Sequence, residues 1–220
     1  MNNNDLYAYV DHTALKAYTS WNDITKLCEE AIKYHMASVC IPSCYVKDVH
    51  KTYPDLTVCT VVGFPLGYAN RAAKEAETRQ ALADGASEID MVINICDVKN
   101  GAYDKVTEEI RSLKKITGDK ILKVIIETCY LTREEKVAMC RAVTAAGADY
   151  IKASTGFGTG GATVEDVELF AKQIGPGVSI KAAGGVKSRE DLERFLALGC
   201  ERIGTSSAVS LLAGEGAEEY

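Results

Sequence analysis

The chain has 220 residues, 47% of them hydrophobic, and a formal net charge of −6. That is enough apolar material for one sizeable core, and an acidic balance without any Lys/Arg-rich run argues against nucleic acid and anionic membrane as partners. No apolar run approaches the ~18 residues of a membrane span, and the opening MNNNDLYAYVDH lacks the basic and apolar regions of a signal peptide, so a cytoplasmic location is expected.

Strand-like and helix-like segments alternate along the chain. VDHTAL (10–15) reads as a short strand and SWNDITKLCEEAIKYH (20–35) as a helix with Ser20 at its N-cap and Asp23 three residues on. ASVCI is a strand, and 42–53 a short helix opened by Pro42. LTVCTVVGF is the third strand; the Ala-rich NRAAKEAETRQALADG after it is a helix closed by Gly85. SEIDMVI leads to a helix over about 101–116. ILKVIIE is followed by the helix TREEKVAMCRAVTAAG, which ends at Gly147. DYIKAS with TVEDVELFAKQI, VSIKAA with SREDLERFLALG, and RIGTS with SAVSLLAG complete the series. Eight such units with short connections predict a parallel sheet closed into a single-domain (β/α)8 barrel over 1–220, with an open doubly wound sheet as the runner-up. The polar tail, 213–220, is expected to be flexible.

Three helix-to-strand joints repeat: ADGASEID (83–90), AAGADYIK (145–152) and ALGCERIG (197–204). Counting five residues on from each glycine reaches Asp90, Lys152 and Gly204, which places these near the C-terminal ends of strands 4, 6 and 8. Barrel active sites assemble at that end. Lys181 in IKAAGG is also late in its strand, so two lysines face one mouth.

A lone lysine is protonated at neutral pH and is a poor nucleophile. Neighbouring strands lie ~4.8 Å apart, so two amines could approach within roughly 5 Å. There they repel by ~3 kcal/mol at an effective dielectric of about 20, and desolvation acts in the same direction. One of the two amines then gives up its proton and can attack a carbonyl as a Schiff-base nucleophile. Asp90 could keep Lys181 charged and pass protons through a water. Lys123, earlier in its strand, is expected to have an ionic role nearer the barrel floor.

The glycine-bearing loops STG (154–156), AGGV (183–186) and GTSS (204–207) follow strands 6, 7 and 8. Such loops let backbone N–H groups approach an oxyanion, and phosphate sites in barrels favour this position. Ser206 and Ser207 add hydroxyl donors. Of three histidines only His12, beside Asp11, is placed to reach the mouth. The eight cysteines sit mostly singly in apolar runs and read as buried reduced thiols. No metal-ligand spacing and no GxSxG elbow is present, so no metal, cofactor or serine-hydrolase chemistry is expected.

Taken together, VDHTAL, CTVVGFPLG, EIDMVIN, KVIIET, AGADYIKASTGF, IKAAGGV and RIGTSS resemble the deoxyribose-phosphate aldolases, a family of class I, metal-independent aldolases. The resemblance implies reversible cleavage of 2-deoxy-D-ribose 5-phosphate to acetaldehyde and D-glyceraldehyde 3-phosphate in deoxynucleoside catabolism. It implies Lys152 as the Schiff-base lysine, Lys181 as the neighbouring cation that eases its deprotonation and transfers protons, and Asp90 as the relay acid. Gly156, Gly184, Gly185, Gly204, Ser206 and Ser207 match the phosphate-holding loops. Pro42-Ser43 and Cys96 depart from the family pattern on strand-end loops, which bears on loop shape. A terminal tyrosine, here Tyr220, folds over the mouth in some members, and its role in this chain is left as a hypothesis. The partners implied are small phosphosugars and aldehydes, and a homo-oligomer, dimer or tetramer, is left open. Two other readings compete: a Schiff-base barrel for a different phosphosugar, and a catalytically silent phosphosugar-binding barrel.

Overall fold

The protein is described over residues 1–213 by a computed structural model. In chain order the elements are α1 (Asn3–Tyr7), β1 (Val10–Thr13), α2 (Trp21–Tyr34), β2 (Ser38–Ile41), α3 (Val46–Thr52), β3 (Val58–Val62), α4 (Arg71–Ala83), β4 (Glu88–Val92) and α5 (Ile95–Lys99). They continue with α6 (Tyr103–Thr117), β5 (Ile121–Ile125), α7 (Arg133–Ala146), β6 (Tyr150–Lys152), α8 (Val164–Gln173), β7 (Ser179–Ala183), α9 (Arg189–Ala197), β8 (Cys200–Thr205) and α10 (Ala208–Ala213). The alternation of the sequence thus closes into a barrel: each strand pairs in parallel with the next, and β1 pairs with β8.

Local chemistry accounts for most boundaries. Ser20 and Asp23 form a reciprocal capping box at the start of α2, as Thr132 and Glu135 do for α7. Gly147 ends α7 with φ 75°, a left-handed turn that suits a residue without a side chain. Two short helices depart from the expectation. Asn2 and Asp5 cap α1 in what reads as a bland polar start, and Asn94 caps α5 by accepting from the Cys96 and Asp97 N–H groups. A side-chain cap stabilises a single helical turn without the long apolar period that pattern reading depends on.

The main apolar core lies between the outer face of the barrel and the helices, where Ile89 and Met91 of β4 join Ile110 and Leu113 of α6, Val143 of α7 and Phe170 of α8. Strand residues alternate faces, so the partners of these core residues point into the barrel. Branched aliphatics usually fill that interior; here much of it is charge. Asp11, Glu88, Asp90, Lys123, Lys152 and Lys181 are all buried inside it. An irregularity between β7 and β8 pairs Ile180 with Cys200 but Lys181 with Arg202, so Glu201 has no partner on β7. That one-residue slip keeps Arg202 and Gly204 on the same inner face as Lys181.

Candidate active site

The charged interior is a continuous ion-pair network. At its lower level Arg202 binds Glu88 (Nη2–Oε1 3.0 Å) and Asp11 (Nη1–Oδ1 2.7 Å). Lys123 reaches Glu88 at 2.5 Å, Asp90 Oδ1 at 3.0 Å and Asp11 Oδ2 at 3.7 Å. Lys123 is therefore not confined to the floor, because the β4–β5 register sets it directly opposite Asp90. Lys181 contacts Asp11 Oδ2 at 2.5 Å and Asp90 Oδ2 at 2.8 Å. Among the described residues Lys152 forms an ion pair with Asp90 Oδ2 alone, at 2.7 Å.

The sequence-based expectation of two ammonium groups crowding each other directly needs amendment. Both reach the same oxygen of Asp90, and the carboxylate stands between them. Burial alone would lower the Lys181 pKa, but Asp11 and Asp90 outweigh it and hold Lys181 above the ordinary lysine value. Lys123 is likewise raised, since Asp90, Cys59, Asp11 and Glu88 overcome its burial. Burial pushes Asp90 up, yet Lys123, Lys152 and Lys181 together hold it well below the usual carboxylate range. Asp11 is lowered for the same reason, by Lys181, Lys123 and Arg202 against its burial.

A charge count matters more than any one pair. Three carboxylates (Asp11, Glu88, Asp90) face four cations (Lys123, Lys152, Lys181, Arg202). The ion-paired set by itself holds one surplus positive charge, with buried Glu127 outside it but within electrostatic reach of Lys152, in a water-poor interior where such a charge is costly. Losing one proton removes it. Arginine does not deprotonate in proteins, and Lys123 and Lys181 each touch at least two carboxylates. Lys152 touches one and also borders the cleft above.

That cleft, about 590 Å³, opens at the C-terminal ends of the strands. Lys152, Gly156, Gly184, Gly185, Gly204, Ser206 and Ser207 line it, whereas Asp90 and Lys181 lie fully buried beneath. The glycines have a second use that the sequence did not suggest. A Cβ on Gly161 would come within 2.3 Å of the Gly184 carbonyl carbon, so the loops after β6 and β7 touch backbone to backbone. Gly156 lines the cleft while its own N–H donates to Ser154 Oγ. Lys187 adds a cation to the cleft wall.

Other sequence expectations change. His12 does not reach the mouth: alternation along β1 turns Asp11 and Thr13 inward and sends His12 outward, to Glu30 of α2 at 2.8 Å. Tyr220 and the tail from 214 onward lie outside the described residues. All eight cysteines are free thiols, but Cys44 and Cys96 are exposed and Cys129 is half-buried. Inside the barrel Cys59 donates to Asp90 Oδ1 at 3.1 Å. Burial pushes the Cys59 thiol well up, while its hydrogen bond draws that of Cys40, its register partner, down. Cys40, Cys59 and Asp90 bring their donor atoms within 4.8 Å of one another, but both Asp90 oxygens already accept from ammonium groups that would repel a cation. A concavity of about 780 Å³ between α6 and α7 is larger than the cleft, yet it lies on the outer helical surface, away from the charged network.

Asp11, Glu88, Lys123 and Arg202 were not singled out as site residues from the sequence. The inward direction of Asp11, Glu88 and Lys123 is readable from the period-2 alternation of VDHT, EID and ILK, whereas that of Arg202 depends on the slip between β7 and β8. Among the described residues no helix is long and apolar enough to cross a membrane.

Comparison with known proteins places this arrangement. A family model described as DeoC/LacD family aldolase matches residues 6–213. The chain is 66% identical to a deoxyribose-phosphate aldolase of Clostridium botulinum (strain Alaska E43 / Type E3), with all of both chains covered. It is 53% identical to one from Clostridioides difficile (strain 630), over 96% of this chain and 97% of the other. Among solved structures it resembles the deoxyribose phosphate aldolase from Aeropyrum pernix, described as a unique tetramer. That match has a TM-score of 0.90 and 29% identity, covering 97% of this chain and 92% of the other. An aldolase designated QR15 superposes with a TM-score of 0.91 at 35% identity, covering 96% and 95% of the two chains.

Proposed function

This chain belongs to the DeoC/LacD family of aldolases, and we propose that it reversibly cleaves 2-deoxy-D-ribose 5-phosphate into acetaldehyde and D-glyceraldehyde 3-phosphate through a Schiff base on Lys152. The observation that carries this reading is the meeting of Lys152 and Lys181 on one oxygen of Asp90 directly beneath a glycine-lined cleft. The reacting group is the Lys152 Nζ, as the neutral amine, at the cleft floor. The amine adds to the C1 aldehyde of the open-chain sugar, and loss of water gives the iminium. Removal of the C3 hydroxyl proton then lets the C2–C3 bond break, its electron pair flowing to the iminium nitrogen. Glyceraldehyde 3-phosphate leaves and an enamine remains.

Protonation of the enamine at C2 and hydrolysis release acetaldehyde and restore the amine. Asp90 relays these protons through a water, and Lys181 holds the carboxylate in place and charged. The iminium is the electron sink, so the reaction requires no metal or organic cofactor. The phosphate sits against the loops carrying Gly156, Gly184, Gly185, Gly204, Ser206 and Ser207, with Lys187 as the nearby cation. The unit is one catalytic domain acting on small phosphosugars and aldehydes in the cytoplasm, in the breakdown of deoxynucleosides.

Borohydride reduction in the presence of acetaldehyde tests the chemistry. A reduced two-carbon adduct on Lys152 is expected, and Lys152→Leu abolishes it. An adduct formed only with dihydroxyacetone-type donors would assign a different sugar, and none with any carbonyl would leave a binding protein.

A further inference from the structure

Just past β5, Glu127 adopts φ 53° and ψ 68°, a left-handed backbone that a glutamate rarely takes. The residue is 1% exposed, and no ammonium or guanidinium group forms a salt bridge to it among the described residues, although Lys152 lies within electrostatic reach. Instead the carboxylate turns to the loop after β6. It accepts the Thr155 N–H at 3.1 Å through Oε1 and the Thr155 hydroxyl through Oε2. Thr155 Oγ1 in turn accepts the Phe157 N–H at 3.0 Å. Further along, Gly158 packs so closely that an added Cβ would meet Cys129 Sγ at 2.8 Å and Glu127 Cδ at 3.2 Å.

Thr155, Gly156 and Gly158 line the cleft, whereas the Glu127 side chain lies behind them. A strained backbone and a buried anion are retained where the surroundings require that geometry. Both here serve one end: they fix the shape of the loop from Thr155 to Gly158.

We propose that Glu127 is a positioning residue that sets the preference for a phosphorylated substrate, by holding the loop after β6 in the shape that receives the phosphate. This rests on the aldolase reading above. Glu127 touches no reacting atom, so its effect is expected on substrate binding more than on the chemical step. The sign discriminates. Removing a negative charge near a phosphate would by itself strengthen binding; losing a loop brace weakens it.

The test compares kcat/KM for 2-deoxyribose 5-phosphate and for unphosphorylated 2-deoxyribose in the unsubstituted protein, Glu127→Ala and Gly158→Ala. The ratio of the two values is expected to fall roughly tenfold or more in both variants, with the loss in KM of the phosphorylated sugar. Gly158→Ala disturbs the same contact from the loop side and leaves the buried carboxylate in place, so the outcome does not depend on Glu127→Ala folding. A ratio that stays constant while both sugars decline together, or one that rises, overturns the proposal. Acetaldehyde trapping on Lys152 requires no phosphate and reports the aldolase reading separately. Intact trapping with an unchanged ratio removes the role of Glu127 alone; absent trapping in the unsubstituted protein removes both.

Discussion

Lys152→Leu should abolish activity without destabilising the fold, whereas Lys123→Leu should unfold the barrel more easily. At an effective dielectric of about 20, Asp90 at 2.7 Å attracts Lys152 by about 6 kcal/mol. Lys123 and Lys181 bind the same carboxylate, so both repel Lys152 and offset much of that attraction. Burying the charge costs several kcal/mol more, which leucine avoids. The variant also leaves three carboxylates facing three cations. Its unfolding free energy is therefore expected to equal the parent's or exceed it by about 1–2 kcal/mol.

Lys123 differs because it serves Glu88, Asp90 and Asp11 together. Its removal also leaves three acids facing three cations, but it takes a contact from each of three buried carboxylates, which should cost about 1–3 kcal/mol. Urea titration followed by far-UV circular dichroism measures both variants, with the midpoint shift read at constant slope. If Lys152→Leu is destabilised as much as Lys123→Leu, the surplus-charge argument is wrong. Lys152 would then be an ordinary structural ion pair.

Acid should reveal the same network. Asp90 and Asp11 have lowered pKa values in the folded chain, so their contribution to stability is complete above the unfolded value of about 3.9 and is lost as pH falls toward the folded values. Asp90→Asn should flatten the dependence of unfolding free energy on pH below about 4; urea midpoints that fall as steeply as the parent's would count against it. Thiol reactivity provides an independent check on the fold. Burial pushes Cys28, Cys140 and Cys200 up to about 12, so a disulfide reagent at about pH 8 should modify exposed Cys44 and Cys96 rapidly and those three only after unfolding. Mass mapping that finds the three labelled in the native protein would contradict their placement.

The repeating architecture, and the strands that carry the candidate residues, are legible along the chain. Glycine-closed helices and short β runs are local signals, and counting from Gly85 and Gly147 located Asp90 and Lys152 because strand geometry is regular over a few residues. What a side chain meets across the barrel is not local. Asp11 of β1 reaches Arg202 only because β1 closes against β8, and the slip between β7 and β8 sets which β8 residues face inward. His12 and Asp11 are adjacent in the chain, yet pleating sends one to a helix and the other into the charged interior. Tertiary structure alone decided the balance of three acids against four cations and the turn of Glu127 toward its loop. Coulomb energy depends on distances between strands far apart in sequence, and those distances exist only once the barrel has closed.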